Sequence, residues 1–154
     1  MLYYCEKVVK SMRLTVYTDY SLRTLIYLGA KNEDELTTIQ EISDAYNISK
    51  NHLMKVTHQL GQLGYIETIR GRGGGIRLAK LPKDITIGEV VRQTEEDFHL
   101  VECFDPASNM CKIAPACQLK GVLAEALQAY LAVLDRYTVE DFLGNRDLLM
   151  QLLQ

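Results

Sequence analysis

Two blocks of helical periodicity, with only Asn47 and Ile48 between them, constrain this chain more than anything else in it. In the first block Thr37 or Thr38 can cap a helix through Ile39, Ile42 and Ala45, and Glu41 lies three residues after Thr38 as in a capping box. In the second, Ser49 can cap a helix carrying Leu53, Val56, Leu60 and Leu63, with Gly64 placed as a left-handed C-cap. Two helices joined by so short a turn must cross at a steep angle, which is a helix-turn-helix. Directly after it, Tyr65 to Arg70 reads as a strand, Gly71-Arg72-Gly73-Gly74-Gly75 as a flexible turn and Ile76 to Ala79 as the returning strand. A hairpin in that place is the wing of a winged helix. The fold class predicted is mainly α with a small β-hairpin: a winged helix-turn-helix plus a long helix further on.

Around this centre the chain divides into three stretches: an extension over residues 1–11, the winged helix-turn-helix over residues 12–83, and residues 84–154. Met12 opens the patterned part, and an alternative start there is one reading of the extension. Thr18 or Asp19 can cap a first helix carrying Leu22, Leu25 and Ile26. Thr86 caps a short helix over Ile87, Val90 and Val91, and Thr138 another over residues 139–143, ended by Gly144. From Gln118 to about Arg136 the apolar positions Leu119, Val122, Leu123, Ala126, Leu127, Tyr130, Leu131 and Leu134 keep helical spacing, giving a helix of roughly 28 Å.

Net charge is −3, which argues against bulk coating of nucleic acid. Local charge says more. Between Ser49 and Lys83 the only acid is Glu67, against Lys50, Lys55, Arg70, Arg72, Arg77, Lys80 and Lys83. The first residues of a recognition helix meet base edges in the major groove, so Ser49, Lys50, Asn51 and His52 are candidate base readers. Lys55 and His58 are placed to reach phosphates. Arg70, Arg72 and Arg77 belong to the wing, where glycines let guanidinium groups approach a minor groove. A winged helix used for protein contact, its charges merely solvated, is the competing reading.

Residues 99–116 lack periodicity and hold Cys103 and Cys111, with Cys117 just after, in the pattern Cys-x7-Cys-x5-Cys. Structural zinc favours four ligands and Cys-x2-Cys pairs. A regulatory disulfide leaves one thiol over. Inert buried cysteines fit poorly beside Asp105, Ser108, Asn109 and Lys112. Three thiolates on a flexible loop plus a fourth ligand from elsewhere suit an iron–sulfur cluster. Cys5, in the extension, is not expected to be a ligand, and His99 is a candidate fourth one.

The stretches Met12-Arg13-Leu14-Thr15, Thr18-Asp19-Tyr20-Ser21-Leu22-Arg23, Ser49-Lys50-Asn51-His52-Leu53-Met54-Lys55-Val56, Arg70 to Leu78 and Ile113-Ala114-Pro115-Ala116-Cys117-Gln118-Leu119-Lys120 together resemble the winged-helix regulator family that includes the iron–sulfur regulator IscR. The resemblance runs from Met12 to the last helix. It is strongest to the nitric-oxide-sensing repressors of that family: IscR carries a histidine three positions after its third cysteine, where this chain has Lys120. The resemblance implies a homodimer with its long helices crossed. It also implies a cluster on each protomer, [4Fe-4S] with [2Fe-2S] as the alternative, held by Cys103, Cys111 and Cys117. The fourth ligand it implies is Asp19 of the partner protomer.

The function this implies is that of a repressor that binds a palindromic operator in double-stranded DNA with its cluster intact and releases it when nitric oxide attacks the cluster. A regulator of cluster supply is the alternative, and a zinc-structural or electron-transfer protein is the alternative from another class. No nucleophile–base constellation points to an enzyme. No apolar run of membrane-spanning length and no signal peptide is evident, so the sequence predicts a cytoplasmic protein without a membrane partner.

Overall fold

The computed structural model describes residues 13–154; the extension, Cys5 and Met12 lie outside the described residues. Six α-helices and one hairpin follow in the order α1 (Val16–Ala30), α2 (Ile39–Tyr46), α3 (Lys50–Gln62), β1 (Ile66–Ile69), β2 (Gly75–Leu78), α4 (Ile87–Thr94), α5 (Gln118–Leu134) and α6 (Arg146–Leu152).

The helix-turn-helix forms as its local chemistry dictates. Thr38 and Glu41 complete the capping box: the Thr38 amide donates to the Glu41 carboxylate at 2.6 Å, and the Glu41 amide donates to Thr38 Oγ1 at 3.2 Å. Asn47 turns the chain in the left-handed region, φ 52°, where Asn is tolerated. Ser49 occupies the N-cap of α3, although its hydroxyl makes no capping hydrogen bond. At the other end Gly64, φ 76°, closes a Schellman motif: its amide donates to the Gly61 carbonyl and that of Tyr65 to the Leu60 carbonyl.

The wing pairs antiparallel from Ile66 opposite Leu78 to Ile69 opposite Gly75. Gly71 and Gly73 turn the hairpin at positive φ. Its inner strand is tied to the segment before α2 by a two-bond bridge, Thr37 N–H to the Ile76 carbonyl at 3.0 Å and Ile76 N–H to the Thr37 carbonyl at 2.8 Å. Leu25, Ile42, Leu53, Leu60, Tyr65, Val90 and Val91, all fully buried, form one core beneath α1, α3 and α4.

Three expectations need correction. The first helix begins earlier than predicted: Thr15 is its cap, accepting from the Thr18 amide at 3.2 Å, and neither Thr18 nor Asp19 has that role. The reason is long-range, since the Glu95 carboxylate accepts from both the amide and the hydroxyl of Thr15 at 2.8 and 3.0 Å. Second, residues Val139–Phe142 form a 3-10 turn held by a Thr138–Asp141 capping box, and α6 follows Gly144 where periodicity predicts no helix. Third, the periodic helix ends at Leu134, seventeen residues and about 25 Å long. Among the described residues no helix is long and apolar enough to cross a membrane.

Candidate functional site

Every predicted base reader stands on the outer surface. Ser49, Lys50, Asn51, His52 and Lys55 are exposed, as are His58 and the wing residues Arg70 and Arg72. α3 turns Leu53, Val56, Thr57 and Leu60 inward. Its opposite side presents Asn51, Met54, Lys55 and His58, which line one shallow open groove. Arg77 differs: its guanidinium donates to Glu67 directly across the hairpin at 2.6 Å and lies 3.6 Å from Asp34. Two carboxylates therefore compete with any phosphate for Arg77.

Sequence reasoning missed how α3 is positioned. Tyr17 and Tyr20, one turn apart on α1, both reach it: the Tyr17 hydroxyl donates to the Lys55 carbonyl at 3.5 Å, and the Tyr20 ring lies 6.1 Å from that of His52. Arg23 stacks over Tyr20 and Tyr46 and pairs with Asp19 at 2.8 Å. An i, i+3 tyrosine pair was the available signal, but which face of α1 meets α3 cannot be read from spacing alone.

The end of α4 is a second junction, also missed. Gln93 Oε1 accepts from the Tyr65 hydroxyl at 2.7 Å, while the Gln93 carbonyl accepts from the Gln59 side chain of α3 at 3.4 Å. Burial pushes the Tyr65 phenol up to about 12, so it stays a donor. The neighbouring Thr94 accepts from Thr18 of α1 at 2.9 Å in a buried contact, and Glu95 holds Thr15. Three consecutive residues thus fasten the wing root, the recognition helix and the N-terminus of α1, immediately before the cysteine segment.

That segment is built from local turns. Cys103 lies in a 3-10 turn over Glu102–Phe104, Cys111 just before another over Ala114–Ala116, and Cys117 at the N-cap of α5. The Cys111 amide donates to Asn109 Oδ1 at 3.0 Å, the Ala107 amide to Asp105 Oδ1 at 3.0 Å, and the Ala114 amide to the Cys111 carbonyl at 3.3 Å. All three thiols are half-buried and free of disulfides. Among the described residues no three His, Cys, Asp or Glu side chains are gathered closely enough to hold a metal ion, so the cysteines share a loop without converging. Asp19 is engaged with Arg23 instead, and His99 lies 3.8 Å from Asp97. The donor set nonetheless fits an iron–sulfur cluster: three unpaired soft ligands sit on a segment whose short-range turns can rearrange without breaking a sheet or helix.

Residues 14–145 match the Rrf2 family, described as iron-dependent transcriptional regulators. The chain belongs to the Rrf2 family. It is 63% identical over 143 residues to the HTH-type transcriptional regulator NsrR of Bacillus subtilis (strain 168), covering 93% of this chain and 98% of that one. To NsrR of Shouchella clausii it is 59% identical over 143 residues, covering 93% and 96%. Among solved structures it is similar to CymR, the global cysteine regulator of B. subtilis, at 26% identity and TM-score 0.66 over 86% of this chain and 97% of that one. IscR of T. potens, 20% identical with TM-score 0.70 over 88% of each chain, shares the fold. This Rrf2 chain is a DNA-binding transcriptional regulator with the winged-helix architecture that its sequence predicted.

Proposed function

We propose that the protein is a homodimeric repressor that holds an iron–sulfur cluster on each protomer, binds a palindromic operator in that state, and releases it on exposure to nitric oxide. The observation that carries this is the joining, in one chain, of an exposed cationic reading face and a loop of three free thiols through the α4 junction. The resemblance of the sequence to nitric-oxide-sensing repressors supports nitric oxide as the effector, and 63% identity to the transcriptional regulator NsrR over 143 residues supports the regulatory role. Residues 12–83 read DNA in this account, and residues 84–154 hold the cluster and the dimer.

Dimerisation is supported by the apolar stripe of α5. Of its residues only Leu131 is buried, while Leu119, Val122, Tyr130 and Val133 are exposed. A face that is apolar and uncovered within the chain suits a second copy. Crossed α5 helices would set the distance between two recognition helices, which must match half-sites one helical turn or a multiple apart.

Cys103, Cys111 and Cys117 would hold the cluster. [4Fe-4S] is the form proposed, with [2Fe-2S] the second possibility. When bound, the cluster supplies iron sites open to attack by nitric oxide. Asp19 of the partner would complete the ligand set. In the single chain this carboxylate is paired with Arg23, so taking up a ligand role means leaving that pair. Arg23 packs on Tyr20, and Tyr20 on His52 of the recognition helix, so a change at Asp19 has a short physical route to the reading face.

Asp19→Ala should still fold, because exposed ion pairs within a helix are worth about 0.3–0.5 kcal/mol. It should load a cluster through the three cysteines, with an altered absorbance and resonance Raman spectrum and a changed rate of reaction with nitric oxide. A spectrum and rate equal to wild type would remove Asp19 from the ligand set.

Arg72→Ala should retain the cluster and weaken operator binding, with the slope of log K against log salt reduced by about 0.9 for each phosphate no longer neutralised. Identical affinity and slope across a salt series would show that the wing does not touch DNA. The proposal as a whole is tested by comparing anaerobically purified cluster-loaded protein with chelator-stripped protein on operator DNA. Equal affinity of the two forms is the result that overturns it.

A further inference from the structure

We infer that Met54 reads the methyl group of a thymine in the major groove and so fixes the base accepted at one position of each half-site. This rests on the reading of α3 as the helix that enters the groove. Asn51, Met54, Lys55 and His58 follow each other at helical spacing and line one groove on the outer side of α3. Three of the four are polar or cationic, as a surface facing phosphates and base edges requires. Met54 is the exception. It is 48% exposed and is not among the side chains packed on the core, which α3 reaches through Leu53, Val56 and Leu60.

The chemistry of the major groove narrows what such a side chain can meet. Guanine, adenine and cytosine present hydrogen-bonding groups there, and only thymine adds a methyl group. A thioether is a weak acceptor and no donor, so it gains little from the other edges. Opposite cytosine, it would leave the N4 amino donor desolvated and unpaired. Opposite thymine, methyl meets methyl and both leave water. The three rotatable bonds of methionine allow that contact while Asn51 and Lys55 keep theirs.

The test uses the full chain, purified anaerobically with its cluster, to select duplexes from a randomised pool. Each thymine of the selected duplex is then replaced in turn by deoxyuridine, which removes the methyl group alone. One replacement per half-site should weaken wild-type binding by about fourfold, the worth of one buried carbon. Met54→Ala should bind the thymine and uracil duplexes equally, and Met54→Leu should restore the preference. Because the side chain is half-exposed, both variants should unfold at the wild-type temperature. Methyl dependence at no position, or a dependence undiminished in Met54→Ala, overturns the role of Met54. Failure of the wild-type protein to enrich any sequence overturns the underlying assignment of α3 together with it.

Discussion

Cys103→Ala, Cys111→Ala and Cys117→Ala should each be purified with iron and sulfide near zero under conditions that load the wild type, whereas Cys5→Ala loads fully. The three central thiols lie on one loop, are half-buried and make no disulfide. Thiolates hold cluster iron, and alanine supplies no ligand atom in their place. Loss of loading must be separated from loss of folding. Each thiol is partly solvated and lies in or beside a short turn, so alanine should change the stability of the cluster-free protein by no more than about 0.5 kcal/mol. Metal-free thermal unfolding at the wild-type temperature, together with absent iron, is the expected pair of results. Full loading in any central variant would remove that cysteine from the ligand set.

Gly75→Ala should be costly although alanine has no backbone difficulty there. A Cβ at Gly75 would lie 2.8 Å from the Thr37 carbonyl oxygen and 3.2 Å from Leu36 Cβ. That carbonyl accepts from Ile76 N–H in the bridge that fastens the wing to the segment before α2. The clash is with backbone, so the wing has to move away and both bridge bonds weaken. Two hydrogen bonds and an overpacked contact together give a loss of about 2–4 kcal/mol. For a chain of this size that is a fall in melting temperature of roughly 5–15 °C. Operator affinity should drop with it, while cluster loading stays near wild type. Gly61→Ala provides the opposite sign. Its Cβ would meet nothing nearer than 3.9 Å, inside α3, so helix propensity alone should stabilise by up to about 1 kcal/mol. A melting temperature for Gly75→Ala indistinguishable from wild type would show that the wing is not held by this bridge.

Where the sequence is legible, the cause is local. The Thr38–Glu41 box, the Asn47 turn, the Gly64 Schellman end and the glycine-rich turn of the hairpin are each decided by residues within five positions of one another, and each forms as expected. The start of α1 is not legible in this way, because Thr15 is held by Glu95, eighty positions away. Arg77 looks like a free cation in the sequence, since its pairing with Glu67 depends on hairpin register, which composition does not reveal. The stripe of α5 is periodic as predicted, yet periodicity states which face seeks cover and not what covers it. Only Leu131 of that helix is buried within the chain. The cysteines are legible as a group, whereas their placement is not, because spacing along a loop of short turns does not fix how its side chains stand to one another. Gln93, Thr94 and Glu95 carry no motif at all. Their importance appears only when three other elements are seen to meet them.

One titration tests directly whether the state of the cluster controls DNA binding. Anaerobic, cluster-loaded protein bound to a fluorescent operator duplex is titrated with nitric oxide while cluster absorbance and DNA anisotropy are recorded on the same sample. Cluster absorbance should be lost and DNA released over the same range of added nitric oxide per cluster, and cluster-free protein should show no response. Cluster loss that runs to completion with the DNA still bound would contradict the coupling.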